Sequence, residues 1–311
     1  MTKKTSVLGS RGSKLALWQT NYVKDLLAEK APEYDYEVRV VRTKGDKITD
    51  VALSKIGDKG LFTKELENEL LDGTVDLCVH SMKDMPTELP AGLAILGVPE
   101  RANPLDVLVG PEGAGLDNLA AGARVATGSL RRVAQLKRLR PDIEPCEIRG
   151  NIDTRIARVM NGEFDAAILA ASGIERLEIE GAIAQVIPAS TMIPAVGQGA
   201  LAVEAREDDP VARKLCALIT DGNTYQAVMA EREVLRALEG GCKVPMGAYG
   251  YILHKEGRDT LEMLSFVSSL DGSQFISAYA SGEPAHALDV AHEIINQLME
   301  QGAQKILEEL R

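Results

Sequence analysis

Short apolar runs alternate with stretches of helical period through the first two-thirds of the chain. Thr5–Gly9 reads as a strand. Lys14–Lys30 follows with Leu15, Trp18, Tyr22 and Leu26 on one helical stripe, and Ser13 is placed to cap it. Tyr36–Thr43 is rich in β-formers. Lys64–Leu71 reads as a helix stopped by Gly73, and Val75–His80 as a short buried strand. Between them, residues 44–60 carry two Gly-Asp-Lys triplets and little periodicity, which predicts a loop that can act as a lid.

The alternation resumes after Pro104. Strands are predicted at Arg124–Thr127, Ile143–Ile148 and Ala166–Ala170, with helices at Ser129–Arg140, Ile152–Met160 and just beyond Ala170. This is the pattern of an α/β domain with a mainly parallel sheet. Two such units meeting near residue 100 predict two lobes around a cleft. The last third changes character. A helix over Asn223–Leu238 ends at Gly240-Gly241, and three strands follow at Ala248–His254, Thr260–Ser268 and Gln274–Ala280. Asp271-Gly272 fits the turn between the last two strands. One closing helix is predicted over Ala285–Leu310, making a small α+β domain.

Composition narrows the function. The 311 residues carry a formal net charge of −11, which disfavours a general nucleic-acid binder because phosphate binding needs a basic face. No apolar run approaches the roughly 18 residues of a membrane span, and the first residues do not resemble a secretory signal. The four cysteines (Cys78, Cys146, Cys216 and Cys242) are widely spaced, with no CxxC pair to suggest zinc or a redox dithiol. Together these features predict reduced thiols and a cytoplasmic location.

Against that acidic background, the predicted strand ends are rich in arginine. GSRGSK, ATGSLRR and IRGNIDTR each follow a strand, placing Arg11, Arg131, Arg132, Arg149 and Arg155 where an open α/β sheet binds ligands. Guanidinium groups pair with carboxylates or phosphates through two parallel bonds, so a polyanionic ligand is predicted. Taken singly, each arginine fits a solvated helix face just as well. No P-loop and no GxGxxG is present, which disfavours a nucleotide. VHSMKDMP places Ser81, Lys83 and Asp84 at a further strand end. Asp84 suits acid–base or charge-stabilising work, or a plain exposed turn. His80 reads as a satisfied core histidine. Cys242, in EGGCKVP, follows two glycines and precedes Lys243, a setting that can activate a thiol or simply pack one. The other three cysteines lie in apolar patterns and read as structural.

VHSMKDMP, ATGSLRR, RGNIDTR, PAVGQGAL and EGGCKVP, together with GSRGSKLALWQT and GDKGLFTKELE, occur here in an order and spacing that resembles the hydroxymethylbilane synthase (porphobilinogen deaminase) family across essentially the whole chain. The resemblance implies two α/β domains like type II periplasmic binding proteins, around a cleft, and a small α+β third domain with a three-stranded antiparallel sheet. The implied spans are 1–99 with 200–217, then 100–199, then 222–311. It implies stepwise condensation of four porphobilinogens onto a dipyrromethane cofactor thioether-linked to Cys242, with loss of ammonia. Water then releases linear hydroxymethylbilane. Asp84 matches the catalytic aspartate. Ser81, Lys83, Thr127, Ser129, Arg131 and Arg132 match cofactor contacts. Arg11, Ser13, Gln19, Arg149, Arg155 and Arg176 match positions that handle substrate carboxylates, and Lys59 in the predicted lid joins them.

The chemistry fits these residue types. Each ring brings an acetate and a propionate, so the growing chain needs an arginine-lined site. Ammonia loss leaves a cationic azafulvene that a carboxylate can stabilise. No metal is required, and a cytoplasmic monomer acting without membrane or nucleic acid is expected. Two departures stand out: Ala126 and Gly128 where the family run has glycine and serine, and Asn103, Leu105 and Val107 in the run after Glu100. A non-enzymatic anion-binding protein of the same two-lobed plan also accounts for the arginines, since fold alone does not decide function. The third domain bearing EGGCKVP argues against it.

Overall fold

The computed structural model describes residues 4–43, 63–238 and 244–310. The predicted lid at 44–60, with Lys59, lies outside the described residues, as does Cys242. The chain divides into two compact units, Met1–Ala102 with Gly199–Tyr225, and Asn103–Gln198 with Gln226–Arg311.

The first unit is built on a five-stranded sheet. Its strands are β1 (Lys4–Ser10), β2 (Tyr34–Val40), β3 (Leu77–Ser81), β4 (Leu93–Gly97) and β10 (Leu201–Arg206), in the order β2-β1-β3-β10-β4. β1 runs parallel to β2 and β3, while β10 is antiparallel to both β3 and β4. Helices α1 (Lys14–Lys30), α2 (Lys64–Leu71) and α6 (Pro210–Ile219) accompany it. Leu8, Val23, Leu27, Leu77, Val203 and Leu215 form its main core.

As predicted, the Ser13 hydroxyl caps α1 by accepting from the Ala16 N–H at 3.2 Å. The buried face differs from the predicted stripe. Leu15, Trp18, Tyr22 and Leu26 are half-buried, and Ala16, Gln19, Thr20, Val23 and Leu27 form the fully buried row. The helix is rotated by one residue because small and polar side chains face the sheet, while Trp18 and Tyr22 stack at its margin with ring centroids 5.3 Å apart.

The second unit repeats the sheet plan. Strands β5 (Asp106–Val109), β6 (Arg124–Ala126), β7 (Glu144–Cys146), β8 (Ala166–Ala170) and β9 (Ile183–Ile187) lie in the order β7-β6-β8-β5-β9. Here β5 is the antiparallel strand, between β8 and β9. Helices α3 (Leu130–Leu139), α4 (Ile152–Met160) and α5 (Ala171–Arg176) follow β6, β7 and β8. In both sheets the antiparallel strand is therefore the one reached just after the chain passes between units, from β4 to β5 and from β9 to β10.

The same unit holds a three-stranded antiparallel sheet of β11 (Met246–Lys255), β12 (Arg258–Ser268) and β13 (Phe275–Gly282), with α8 (Ala287–Glu300), α9 (Ala303–Glu309) and all but the first turn of α7 (Gly222–Ala237). The single closing helix expected from sequence is thus two helices. A 3-10 turn precedes them, and a left-handed residue, Gly302, at φ 97° divides them. Ala230, Val234, Met263, Val290, Ile294 and Ile306 fill the core between sheet and helices. The sheet packs on α3. Gly272, in the predicted turn at φ 76°, comes so close that a Cβ would lie 2.5 Å from the Ala134 carbonyl, and the Arg138 guanidinium sits 4.0 Å over the Phe275 ring. Two α/β domains and a small three-stranded antiparallel sheet are what the resemblance implies.

Candidate functional site

In the first unit, alternation along VHSMKDMP sets which side chains stay in solvent. Met82 and Met85 are buried and hold down a 3-10 turn, Met82–Asp84, while Lys83 and Asp84 between them are exposed. The turn is pinned by the Met82 N–H, which donates to the Ala200 carbonyl at 3.0 Å. Ser81, the last residue of β3, accepts from Gln19 Nε2 at 2.9 Å. Two predicted site residues from separate elements therefore meet. Ser13 caps α1 beside Arg11, which is half-buried.

Beneath the turn lies a buried titratable group that sequence reasoning treated as one core histidine. His80 Nε2 is 3.0 Å from Glu204 Oε2, and Glu67 is buried close by. Burial raises the Glu67 carboxyl pKa, and the charge of Glu204 pushes it the same way.

In the second unit, parallel strands β6 and β7 end side by side, and the helices that follow begin there. The Thr127 N–H donates to the Cys146 carbonyl at 2.8 Å, joining the two strand ends. Thr127 is buried, and its hydroxyl accepts from the Ser129 N–H at 3.3 Å. Ser129 and Asn151 are the N-caps of α3 and α4, yet neither side chain accepts a bond from its helix. The N–H groups of a first turn have no partner within the helix, and the helix dipole favours an anion there. The departure at Gly128 has a packing reason: a Cβ there would lie 3.2 Å from the Ile148 carbonyl, so the usual serine would be tight. Asn103 Oδ1 accepts from the Leu105 N–H at 3.0 Å, a bond an aspartate could also make.

The arginines are not equivalent. Arg149 is half-buried and paired with its neighbour Glu147 at 2.7 Å. Arg155 Nε donates to the Gly150 carbonyl at 2.7 Å, and Arg176 is buried at the end of α5. Arg131 and Arg132 are also buried, and both converge on Asp106, which is fully enclosed. Burial alone would raise the Asp106 pKa. The two guanidinium charges, with bonds from Arg131 and Gln198, hold it well below the usual carboxylate range. Sequence reading missed Asp106, Gln198, Glu204 and Glu67 as polar partners. The available signals were a charged residue opening the apolar run DVLV, and the polar positions inside PAVGQGAL and LAVEAR.

Among the described residues, no group of three or more His, Cys, Asp or Glu side chains is arranged to hold a metal ion, and no helix is long and apolar enough to cross a membrane. Cys78 and Cys216 are buried free thiols, and Cys146 is half-buried at the end of β7 rather than within the core.

Two family models match the chain. Residues 7–214 match "Porphobilinogen deaminase, dipyromethane cofactor binding domain", and residues 225–300 match "Porphobilinogen deaminase, C-terminal domain". The chain is 48% identical over 304 residues to the porphobilinogen deaminase of Desulforamulus reducens, covering 98% of this chain and 97% of that protein. It is 48% identical over 303 residues to that of Brevibacillus brevis, covering 97% and 96%. Among solved structures, the methionine binding protein MetQ is similar at 13% identity and a TM-score of 0.42, over 72% of this chain and 90% of that one. Matched over residues 7–214 and 225–300 by two family models, and over 97–98% of its length by relatives 48% identical to it, the chain belongs to the porphobilinogen deaminase family.

Proposed function

We propose that this chain joins four porphobilinogens head to tail on a dipyrromethane tethered to Cys242, expelling ammonia at each joining and releasing linear hydroxymethylbilane with water. The observation that carries the site assignment is the pair of helix starts at Ser129 and Asn151, without side-chain caps, beyond adjacent parallel strands and with arginines beside them. This donor set fits a group bearing several carboxylates, because amide N–H groups and guanidinium edges are what carboxylates accept from. Thr127, Ser129, Arg131 and Arg132, with Ser81 and Lys83, would hold the cofactor. Arg11, Ser13, Gln19, Lys59, Arg149, Arg155 and Arg176 would handle substrate carboxylates. When bound, the dipyrromethane supplies the nucleophilic pyrrole carbon from which the product grows.

Asp84 would face the positive charge left on the substrate as ammonia departs, and accept a hydrogen bond from a pyrrole N–H. The buried Met82 and Met85 fix the turn from below and leave that carboxylate clear of the core. The bond from Gln19 holds the Ser81 hydroxyl in one orientation. Arg149 and Arg155 would exchange Glu147 and the Gly150 carbonyl for substrate carboxylates, contacts cheap to break at a partly solvated surface. The reading extends to a three-domain, cytoplasmic monomer that needs no membrane or nucleic acid.

Asp84→Asn tests it. Turnover should fall by at least about a hundredfold with the fold and the attached cofactor retained. Near-normal turnover in the cofactor-loaded variant would overturn the assignment.

A further inference from the structure

Two buried arginines next to each other in sequence need a counter-charge, and the way Asp106 supplies it divides their labour. Arg131 meets Asp106 with its terminal edge: Nη1 donates to Oδ2 at 2.7 Å and Nη2 to Oδ1 at 3.1 Å, while Nη1 also donates to the Ile193 carbonyl at 2.6 Å. Arg132 meets it with the opposite edge: Nε donates to Oδ1 at 3.0 Å and Nη2 to the same oxygen at 2.7 Å. Arg132 Nη1 is taken by the Ile168 carbonyl of β8 at 2.9 Å. Gln198 closes the network, with Nε2 donating to Asp106 Oδ1 at 2.9 Å and to the Pro104 carbonyl at 2.7 Å.

Arg132 has thereby spent its Nε edge on the protein. Arg131 has not. Its Nε is closed to solvent and has no hydrogen-bond partner among the described residues. A guanidinium carries five N–H donors, and Nε with the adjoining Nη2 hydrogen makes a fork that fits a carboxylate. The charges agree: two guanidinium cations against one carboxylate leave one net positive charge.

We infer that Asp106 is a positioning residue for cofactor binding: it grips Arg131 by one edge so that the Nε edge is presented to a single carboxylate, and it keeps Arg132 as a fixed part of the frame. This rests on the reading that the chain carries a dipyrromethane. Asp106 itself touches no ligand. Without its charge the two arginines repel each other, and Arg131 loses the contact that sets its direction.

The test uses the full chain, made without a porphobilinogen supply and then incubated with porphobilinogen. Intact mass follows uptake of two pyrrole units, and thermal melting is recorded before and after. In Asp106→Asn, uptake should slow about tenfold, which corresponds to ~1.4 kcal/mol. The rise in melting temperature on cofactor uptake should also shrink. A merely structural role would lower the melting temperature of both forms equally and leave uptake unchanged, and that result overturns the inference. Asp106→Glu should restore part of the uptake. If Asp106→Asn does not accumulate folded, Asp106→Glu, which keeps the charge but lengthens the side chain by one carbon, should still slow uptake; uptake at the native rate there also overturns it. A native chain that never gains pyrrole mass would instead sink the parent reading.

Discussion

His80 on β3 and Glu204 on β10 meet across the sheet at 3.0 Å, both closed to solvent, with His80 two residues before the turn Met82–Asp84. The second Glu204 oxygen has no hydrogen-bond partner among the described residues, so the carboxylate depends on the imidazole. Removing one partner of a buried pair leaves the other uncompensated. His80→Ala should cost ~3–5 kcal/mol of stability in urea denaturation. His80→Gln, which retains a donor, should cost less than half of that. Equal losses from the two variants would show that the bond to Glu204 contributes little.

Glu67 offers a pH test in the same region. Burial, with the nearby Glu204 charge, raises its carboxyl pKa above 4.5, against weaker opposing effects of Thr63, His80 and Lys64. The folded state then holds the proton more tightly than the unfolded chain. Stability from this group is full below the unfolded pKa of about 4.5 and is lost as pH rises through the folded value. Glu67→Gln removes the cost of ionising. Its melting temperature relative to the parent should therefore climb as pH rises above about 4.5. A difference that is flat across that range, or that falls, would reverse the sign argued here.

The thiols should separate by reactivity. Burial pushes Cys216 up to about 12, with Asp209 adding to the shift, and burial likewise lifts Cys78 well above the usual thiol range. Cys146 is half-buried. Alkylation of the native protein near neutral pH should modify Cys146 at least about a hundredfold faster than Cys78 or Cys216, since the thiolate is the nucleophile. Cys242 should resist alkylation and carry the added mass of two pyrrole units, and Cys242→Ser should lack that mass and melt lower. Peptide mapping reads all four positions at once. An unmodified Cys242 peptide from fully active enzyme would refute the tether.

Glu231 on α7 binds two separate segments. Its carboxylate accepts from the Gly197 N–H at 2.6 Å and from the Gly250 N–H at 2.8 Å, tying the loop before β10 and strand β11 to one helix. The side chain is fully buried. A glutamine of the same shape can accept at one oxygen but turns an NH2 group toward the other N–H. Glu231→Gln should cost ~2–3 kcal/mol, seen as a lower denaturation midpoint with an unchanged slope. A midpoint within error of the parent would show that solvent replaces the lost bond.

What the sequence disclosed depended on whether an element's partner lay nearby along the chain. The helix at Ile152–Met160 and the strand at Ala166–Ala170 match their predicted bounds because apolar periodicity and flanking turns define them locally. Strands β5 and β10 passed unnoticed. Each places a buried acid, Asp106 or Glu204, inside a short apolar run, and the partner that makes this tolerable is 25 or 124 residues away. The same distance effect hid the buried partner of Arg131 and Arg132, since nothing near ATGSLRR announces Asp106. Gln19, by contrast, was singled out by resemblance, and its burial against Ser81 follows from a helix face that hydrophobicity alone misplaced by one residue.

Because β10 lies between β3 and β4, the order of synthesis does not match the order of completion. A nascent chain that has emerged as far as β9 holds every strand of the second five-stranded sheet, residues 106–187. The first sheet, begun a hundred residues earlier, still lacks the strand at Leu201–Arg206, and β3 and β4 each have a side with no neighbour to bond to. Unpaired strand edges are where wrong partners attach. Of the two five-stranded sheets, the one whose first strand is translated earliest is therefore the last to receive all its strands, and its open edges are the ones that need shielding in the interval.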